Sequence, residues 1–153
     1  MSILNTQAVE DSRKALSGKN GALYNGNGKL LARMETFSTK AAVASQSYQP
    51  IGEFQEHAVV TGYKITISFT EYVIEDEEFI SDLFEMFKDG TIPEWNFQGV
   101  VRGRNGSEER MVYNYCVPDG DIDLQNVSIG ELIKRAWSMT VNDKPRLQGR
   151  LFQ

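Results

Sequence analysis

The chain has few of the residues that build catalytic and metal centres. Among its 153 residues there is one cysteine, Cys116, and one histidine, His57. A single cysteine cannot form an intrachain disulfide, so the sequence does not indicate an oxidising compartment. These two residues also cannot complete a structural zinc site within one chain. They could pair as nucleophile and base, but the alternation in Tyr113–Val117 favours Cys116 as a small buried core residue.

Long apolar runs and an excess of positive charge are also missing. No run approaches roughly 18 consecutive apolar residues, so no segment is predicted to span a membrane. The first residues lack the basic segment and apolar core of a signal peptide. We therefore expect an intracellular protein without stable membrane association. With 21 acidic and 16 basic residues, the net charge is −5, so general attraction to nucleic acid is not expected.

Motifs for phosphate, acyl and calcium chemistry are absent. The glycines do not form the strand–loop–helix pattern that cradles phosphate, and there is no Gly-x-Ser-x-Gly elbow. Asp119–Asp123 superficially resembles a calcium loop, but Leu124 and Gly130 occupy the positions that require glycine and glutamate. The acidic run Glu75–Glu78 is better explained as a helix start. We predict no catalytic residue, no metal and no cofactor, and hence a protein that is not an enzyme.

The chain is rich in β-strand patterning. Alternation and β-branched or aromatic content predict strands at residues 21–25, 29–39, 58–73, 94–104, 109–117, 122–127 and 132–141. Regular structure is expected to end at Asn142–Pro145, before a basic tail, Arg146–Gln153. The strands predict a mainly β protein, an antiparallel β-sandwich or barrel with one packed α-helix.

That helix is predicted over residues 76–89. Asp76 can cap its N-terminus, and Gly90 provides the stop after its last turn. Its apolar residues recur on one wide face. We expect the following residues to form the core face of the helix: Phe79, Ile80, Leu83, Phe84 and Phe87.

Strict alternation from Tyr63 to Thr70 divides the side chains of the central strand between two faces. The apolar face is expected to pack on the helix and consists of Tyr63, Ile65, Ile67 and Phe69. The small polar face is a candidate lining for a wet channel and consists of Lys64, Thr66, Ser68 and Thr70.

A stretch of about eighteen residues with little periodicity, Thr39–Glu56, precedes this strand. A structureless loop of that length is uncommon in a compact domain and usually serves contact or binding. Its apolar side chains make it too hydrophobic for a solvated linker. The candidates for contact between subunits are Val43, Tyr48, Pro50, Ile51 and Phe54.

The order of these segments resembles the tail tube protein of PBSX-type contractile phages and defective prophages. The resemblance rests on Ser17–Tyr24 with the turn after it, Met34–Phe37, the long loop, Thr61–Thr66 and the later hairpin segment Glu109–Tyr115. It covers roughly residues 17–142. Each motif is turn chemistry plus alternation, so the specificity lies in the order of the motifs.

The resemblance implies a structural subunit of a tail or tail-like particle, assembled in the bacterial cytoplasm. It implies an N-terminal arm of residues 1–17 and one β domain, 18–153, with an inter-subunit loop at about 40–57. Members of that family form hexameric rings with a shared β-barrel around a channel for DNA or ions, and the rings stack into a tube. The implied partners are further copies, the tail sheath protein, the baseplate or tube initiator, the tail terminator, a tape measure protein in the lumen and, in a true phage, DNA in transit.

Further expectations follow from this resemblance. An acidic subunit suits a conduit for DNA, because repulsion keeps the polyanion from adhering to the wall. Deleting residues 42–56 should leave a folded domain that cannot polymerise. Three alternatives stay open: a type VI secretion-like tube protein whose rings stack less readily, a small monomeric β-barrel that binds a ligand in an apolar cavity, and an enzyme built on Cys116 and His57.

Overall fold

The computed structural model describes residues 13–31, 33–74 and 78–152. Its described residues lie mostly in antiparallel β-sheet, against which one α-helix of 12 residues packs, and this confirms the predicted fold class. The elements in chain order are β1 (Gly21–Asn25), β2 (Met34–Tyr48), β3 (His57–Tyr72), α1 (Glu78–Asp89), β4 (Trp95–Arg102), β5 (Glu108–Pro118), β6 (Lys134–Val141) and β7 (Arg146–Gly149). The predicted cap Asp76 and most of the N-terminal arm, residues 1–12, lie outside the described residues.

The described chain divides into two compact units. The first contains residues 13–31, 95–115 and 143–152. In it, β1 pairs with β4 from Gly21↔Val101 to Asn25↔Phe97, and β4 is the neighbour of β5. Because alternate strand residues point to one side, this unit has a small apolar core. That core consists of Leu23, Trp95, Phe97, Val100, Val112 and Tyr113.

Strand β7 corrects the prediction that regular structure ends before residue 146. It pairs with β5, with Met111 opposite Leu147 and Val112 opposite Arg146. At Gly149 a Cβ atom would lie 2.5 Å from the carbonyl oxygen of Glu108, so only glycine permits this close approach. Four residues were too short a run for a periodicity argument, which is why the sequence did not reveal the strand.

The second unit contains residues 33–74, 78–94 and 116–142. In it, β2 and β3 form a long antiparallel hairpin, with Met34↔Glu71 at its base and Tyr48↔His57 at its tip. β6 pairs with the other edge of β3, from Ile65↔Val141 to Tyr72↔Lys134. The last residues of β5, Cys116–Pro118, pair with β6. β3 therefore lies between β2 and β6.

One face of these strands is apolar and packs on α1. The rings of Phe69 and Trp137 have centroids 6.3 Å apart, and the ring of Phe79 lies 6.1 Å from each of them. Such offset or tilted arrangements suit the quadrupoles of aromatic rings. The indole N–H of Trp137 donates a 2.9 Å hydrogen bond to Oε1 of the buried Glu71. The polar edge of the indole is thereby satisfied inside the core.

Only part of the predicted helix core face is buried. Phe79, Ile80 and Leu83 are buried, but Phe84 is 53% and Phe87 56% exposed, so the prediction was wrong for these two. Phe84 is rotated about 100° from Leu83 around the helix. Phe87 lies on the last turn and lines a cavity of about 340 Å³ that the β5–β6 connection leaves open.

The predicted packing face of β3 is also only partly buried. Ile67 and Phe69 are buried, whereas Tyr63 is 58% exposed. The reason is that β6 ends at Val141, opposite Ile65. Beyond that point only β2 accompanies β3, so Tyr63 has no β6 neighbour to pack against.

Two connections differ from the predicted ones. The strand expected at 29–39 runs from Met34 to Tyr48, and only residues 49–56 connect it to β3. Residues 40–48 are exposed on both faces of the hairpin, so the sequence there lacks the apolar–polar alternation that reveals a strand. The strand predicted at 122–127 is wrong, because residues 119–133 form an irregular connection between β5 and β6.

The phenylalanines of the helix differ in burial, so the same substitution at two of them should have different effects on stability. We expect Phe79→Ala to lower the free energy of unfolding by about 3–5 kcal/mol, because it removes one ring of the aromatic core. Phe84→Ala, the same change on the exposed side of the helix, should cost about 0.5 kcal/mol or less. Urea unfolding of both variants measures the difference. Equal losses would contradict the packing described here.

Candidate functional site

The face of β2, β3 and β6 opposite the aromatic core is polar. Directly paired residues of antiparallel strands share a face, so the register defines three layers across this surface. They are Thr36–Thr70–Ala136, Ser38–Ser68–Ser138 and Lys40–Thr66–Thr140. Hydroxyl groups dominate all three layers. We refer to this surface as the hydroxyl face.

The four predicted channel residues lie together on this face. Ser68 and Lys64 are exposed, while Thr66 and Thr70 are partly exposed. The contributions of β2 and β6 were missed by sequence reasoning, although Thr36, Ser38 and Lys40 alternate in the same way. A channel-lining role for the face stays a prediction.

Apart from Lys40, the charges on the hydroxyl face in the described part of the chain are held in pairs. Lys64 Nζ lies 2.9 Å from Asp119 Oδ2, and the hydroxyl of Thr140 donates to the same carboxylate oxygen. The Thr140 hydrogen bond, and after it Lys64, lower the pKa of Asp119. At the base of the hairpin, Lys134 Nζ lies 3.0 Å from Glu35 Oε1. This hydrogen bond raises the pKa of Lys134.

The tip of the β2–β3 hairpin is an ordered turn. The backbone N–H of Glu53 donates to the carbonyl of Pro50 over 3.2 Å, and Gly52 has a φ of +88°, as a type II turn requires. Gln49 Nε2 donates to the carbonyl of Glu53 over 2.8 Å. The carboxylate of Glu53 also lies 3.0 Å from the imidazole of His57. Four residues around the turn, Gln49, Pro50, Glu53 and His57, are therefore tied together by hydrogen bonds.

The predicted inter-subunit residues are distributed along this hairpin. Val43 and Tyr48 lie on β2, whereas Pro50, Ile51 and Phe54 lie in the connection. The side chains of Ile51 and Phe54 are as exposed as in an extended chain, at 107% and 103%. Their role in contacts between subunits stays a prediction.

The outer part of the hairpin presents further apolar side chains to solvent. They are Val43, Tyr48, Val59, Val60 and Tyr63. A two-stranded ribbon is marginally stable in water by itself, and contiguous exposed apolar surface usually marks an interaction site. The geometry therefore fits a ribbon that is covered in an assembly.

The Cys116–His57 pair is excluded by the strand register. Cys116 lies opposite Val141, which lies opposite Ile65. His57 is eight residues before Ile65 on the same strand, a separation of about 26 Å along β3. Cys116 is also fully buried, as predicted, and burial raises the pKa of its thiol to about 12. A thiol in this state is a poor nucleophile.

The described residues lack both clustered metal ligands and a helix that could span a membrane. They contain no group of three or more histidine, cysteine or acidic residues placed to hold a metal ion. Asp119, part of the calcium-like sequence, contacts Lys64 and Thr140 instead. No helix in these ranges is both long and apolar enough to cross a membrane.

Comparisons with known proteins give matches among solved structures alone. No protein-family model and no curated protein matches the sequence. A chain in the virion of a native gene transfer agent particle matches with 14% identity and a TM-score of 0.61, over 88% of this chain and 99% of that one. A chain of the tube-terminating cap of the anti-feeding prophage matches with 8% identity and a TM-score of 0.66, over 89% and 92%.

A third match is a chain of the sheath–tube complex of an extracellular contractile injection system, in its extended state. It has 10% identity and a TM-score of 0.64, over 97% of this chain and 100% of that one. At such identities the matches show the fold, which is that of a tail tube.

The Asp119 contacts predict a pH-dependent contribution to stability. Because the pKa of Asp119 is lowered in the folded state, its contribution should be present above about pH 4 and lost as the pH falls through the folded pKa. We expect Asp119→Asn to lower the urea midpoint at pH 7 and to have a progressively smaller effect below pH 4. Asp121→Asn, on the same connection, is the control. A wild-type midpoint for Asp119→Asn at pH 7 would contradict the prediction.

Proposed function

We propose that this chain is a structural subunit of the inner tail tube of a contractile phage tail or a phage-tail-like bacteriocin. The observation that carries this proposal is the tail tube fold, matched over nearly the whole chain by a chain of a sheath–tube complex. The long exposed hairpin and the hydroxyl face support it. Assembly would use the hairpin, and a water-filled channel would use the hydroxyl face. Cys116, by contrast, is buried, and His57 is separated from it by about 26 Å along β3.

Ring formation would cover the unpaired edge of β2. β2 is fifteen residues long, and in the described chain its only strand partner is β3. An unpaired edge of that length invites uncontrolled pairing with other chains. A closed hexameric ring, in which such an edge is covered by the neighbouring copy, removes this hazard.

The two faces of the β2–β3–β6 sheet suggest how the subunit would be oriented. α1 covers the aromatic face, so the hydroxyl face is the one left for a water-filled lumen. Paired charges and hydroxyls give a wall that neither attracts a polyanion strongly nor excludes water. In this proposal the face lines a channel for DNA or ions and encloses the tape measure protein during assembly.

We also propose a more specific type of tube protein and a set of partners. We place the chain with the PBSX-type tube proteins, as one non-enzymatic β domain over residues 18–153. Its partners would be the tail sheath, the baseplate or initiator, and the terminator, in a virion tail or tail-like particle. The segment order carries this assignment, and the matches to tube, cap and sheath–tube assemblies are compatible with it.

Assembly state tests the proposal directly. We expect concentrated purified protein to form six-fold rings or stacked tubes, because the β2 edge and the hairpin are exposed in the single chain. Negative-stain microscopy with analytical ultracentrifugation measures this. Rings that remain single would favour the type VI-like alternative. A stable monomer that binds small apolar ligands would overturn the proposal in favour of the binding-protein reading.

The orientation of the hydroxyl face can be tested with a single engineered thiol. Because Cys116 is buried, Ser68→Cys provides the only reactive thiol. In tubes, this thiol should react with a small maleimide but much more slowly with a maleimide on a large polymer, since the polymer cannot enter the lumen readily. Phe84→Cys, on the helix, is the control and should react with both reagents in tubes without sheath. Equal rates for Ser68→Cys with both reagents would contradict the orientation.

A further inference from the structure

We infer that one end of the first unit is a docking surface for a short acidic segment of a partner protein. The surface forms where residues 13–15, 102–107 and 150–152 of this unit meet. The inference goes beyond the proposed function, which uses the hydroxyl face and the hairpin of the second unit. We call this surface the basic end, and its cations are Arg13, Lys14, Arg102, Arg104 and Arg150.

Hydrogen bonds hold the three segments of the basic end together. Nη2 of Arg104 donates to the carbonyl of Ala15 over 3.3 Å. Asn105 Nδ2 and the hydroxyl of Ser107 donate to the carbonyl of Phe152 over 2.5 Å and 2.8 Å. Ser107 is itself buried. The surface is therefore ordered before any partner binds, which lowers the entropic cost of docking.

The ring of Phe152 is held in solvent on a fixed backbone. A Cβ atom on Gly103 would lie 2.6 Å from Ser107 Oγ and 3.0 Å from Leu151 Cδ2, so the absence of a side chain lets the segment 150–152 lie close. Although its carbonyl is bound, Phe152 is 72% exposed. Aromatic side chains and arginines are the residues most enriched at protein interfaces. The basic end combines both kinds.

Charge is distributed unevenly between the two units. In its described part the first unit has ten lysines and arginines and three acidic residues, Glu108, Glu109 and Asp143. The described part of the second unit has six basic and thirteen acidic residues. With a net charge of −5 for the whole chain, the acidic excess lies outside the first unit. The first unit is thus locally basic in an acidic protein.

Ion pairs within the unit neutralise only part of the basic end. Glu108 Oε2 lies 3.6 Å from Nε of Arg102, and Glu108 Oε1 lies 2.6 Å from Nη2 of Arg110. Arg13 and Arg150 are exposed and have no ion pair among the described residues. These two guanidinium groups can bind a carboxylate of another molecule.

The range of the electrostatic forces favours an acidic protein segment over nucleic acid. At physiological salt a charge is screened beyond about 8 Å, so a short segment on the basic end is attracted by that end alone. A nucleic acid strand extends further and meets the rest of the chain, whose net charge is negative, and its phosphates are repelled there. The exposed ring of Phe152 adds an apolar contact for an aliphatic residue of the segment.

Fluorescence anisotropy on the full chain tests this surface. The probe is a short labelled peptide of glutamates with two leucines. We expect it to bind at low salt and to bind more weakly as the salt concentration rises. The same peptide with glutamine in place of glutamate should not bind. Phe152→Ala should weaken binding several-fold, while the hydrogen bonds from Asn105 and Ser107 persist because they use the backbone.

Charge reversal locates the binding on the chain. The variant with Arg13→Glu and Arg150→Glu should bind the peptide about tenfold more weakly, because two attractive charges become repulsive. Neither side chain has an ion pair within the described residues, so the fold is expected to tolerate both changes. Thermal unfolding of the variant checks this.

A second double variant, Lys29→Glu with Lys144→Glu, is the matched control, because it changes the net charge by the same amount. Asn25 pairs with Phe97, so Lys29 follows the turn at the end of β4 that lies about 17 Å from Arg102. Lys144 precedes β7, whereas Arg150 follows it. The control should bind the peptide as the wild type does.

Each result supports or overturns the inference. Equal weakening in both double variants, or binding of the glutamine peptide, would overturn it. Tighter binding of an oligothymidylate of the same charge would overturn it in favour of nucleic acid. Self-association of the wild type that Arg13→Glu with Arg150→Glu abolishes would overturn it in favour of a second copy. Wild-type protein that binds the peptide but forms neither rings nor tubes would contradict the proposed function and leave this inference standing.

Discussion

The aromatic packing of Phe69, Trp137 and Phe79 is the interaction on which the second unit depends. It joins β3, β6 and α1 at one place, and the hydrogen bond from Trp137 to Glu71 makes it specific as well as apolar. Because strand side chains alternate, burying these rings forces the intervening residues onto the other side. The hydroxyl face is therefore a consequence of the core.

The alternation of side chains around this core also requires one register between β3 and β6. A slip of one residue between β3 and β6 would exchange the two faces and bury hydroxyls against α1. Where β6 ends at Val141, the constraint ends too, and β2 and β3 continue as an exposed two-stranded ribbon. The exposed ribbon therefore begins where the aromatic core ends.

Much of this unit could be predicted from sequence, because strict alternation in β3 and the apolar face of α1 are local signals. The extension of β2 to Tyr48 could not be, since residues 40–48 are exposed on both faces and carry no periodicity. The exposure of Phe84 and Phe87 depends on what lies opposite the helix, which periodicity does not report. The cavity beside the base of the hairpin, which Val73, Leu124, Val127 and Ile133 line, was missed for a related reason: residues 122–127 were interpreted as a strand when they belong to an irregular connection.

Net charge alone gives an incomplete account of a channel wall. The chain carries −5 overall, yet the described charges of the hydroxyl face are Lys40 and two ion pairs, Lys64–Asp119 and Lys134–Glu35. The acidic excess therefore lies elsewhere on the chain. If this face lines the lumen, its passivity toward a polyanion comes from hydroxyls and internally paired charges, whose fields are screened within about 8–10 Å at physiological salt. Repulsion by an acidic wall is then unnecessary for that passivity.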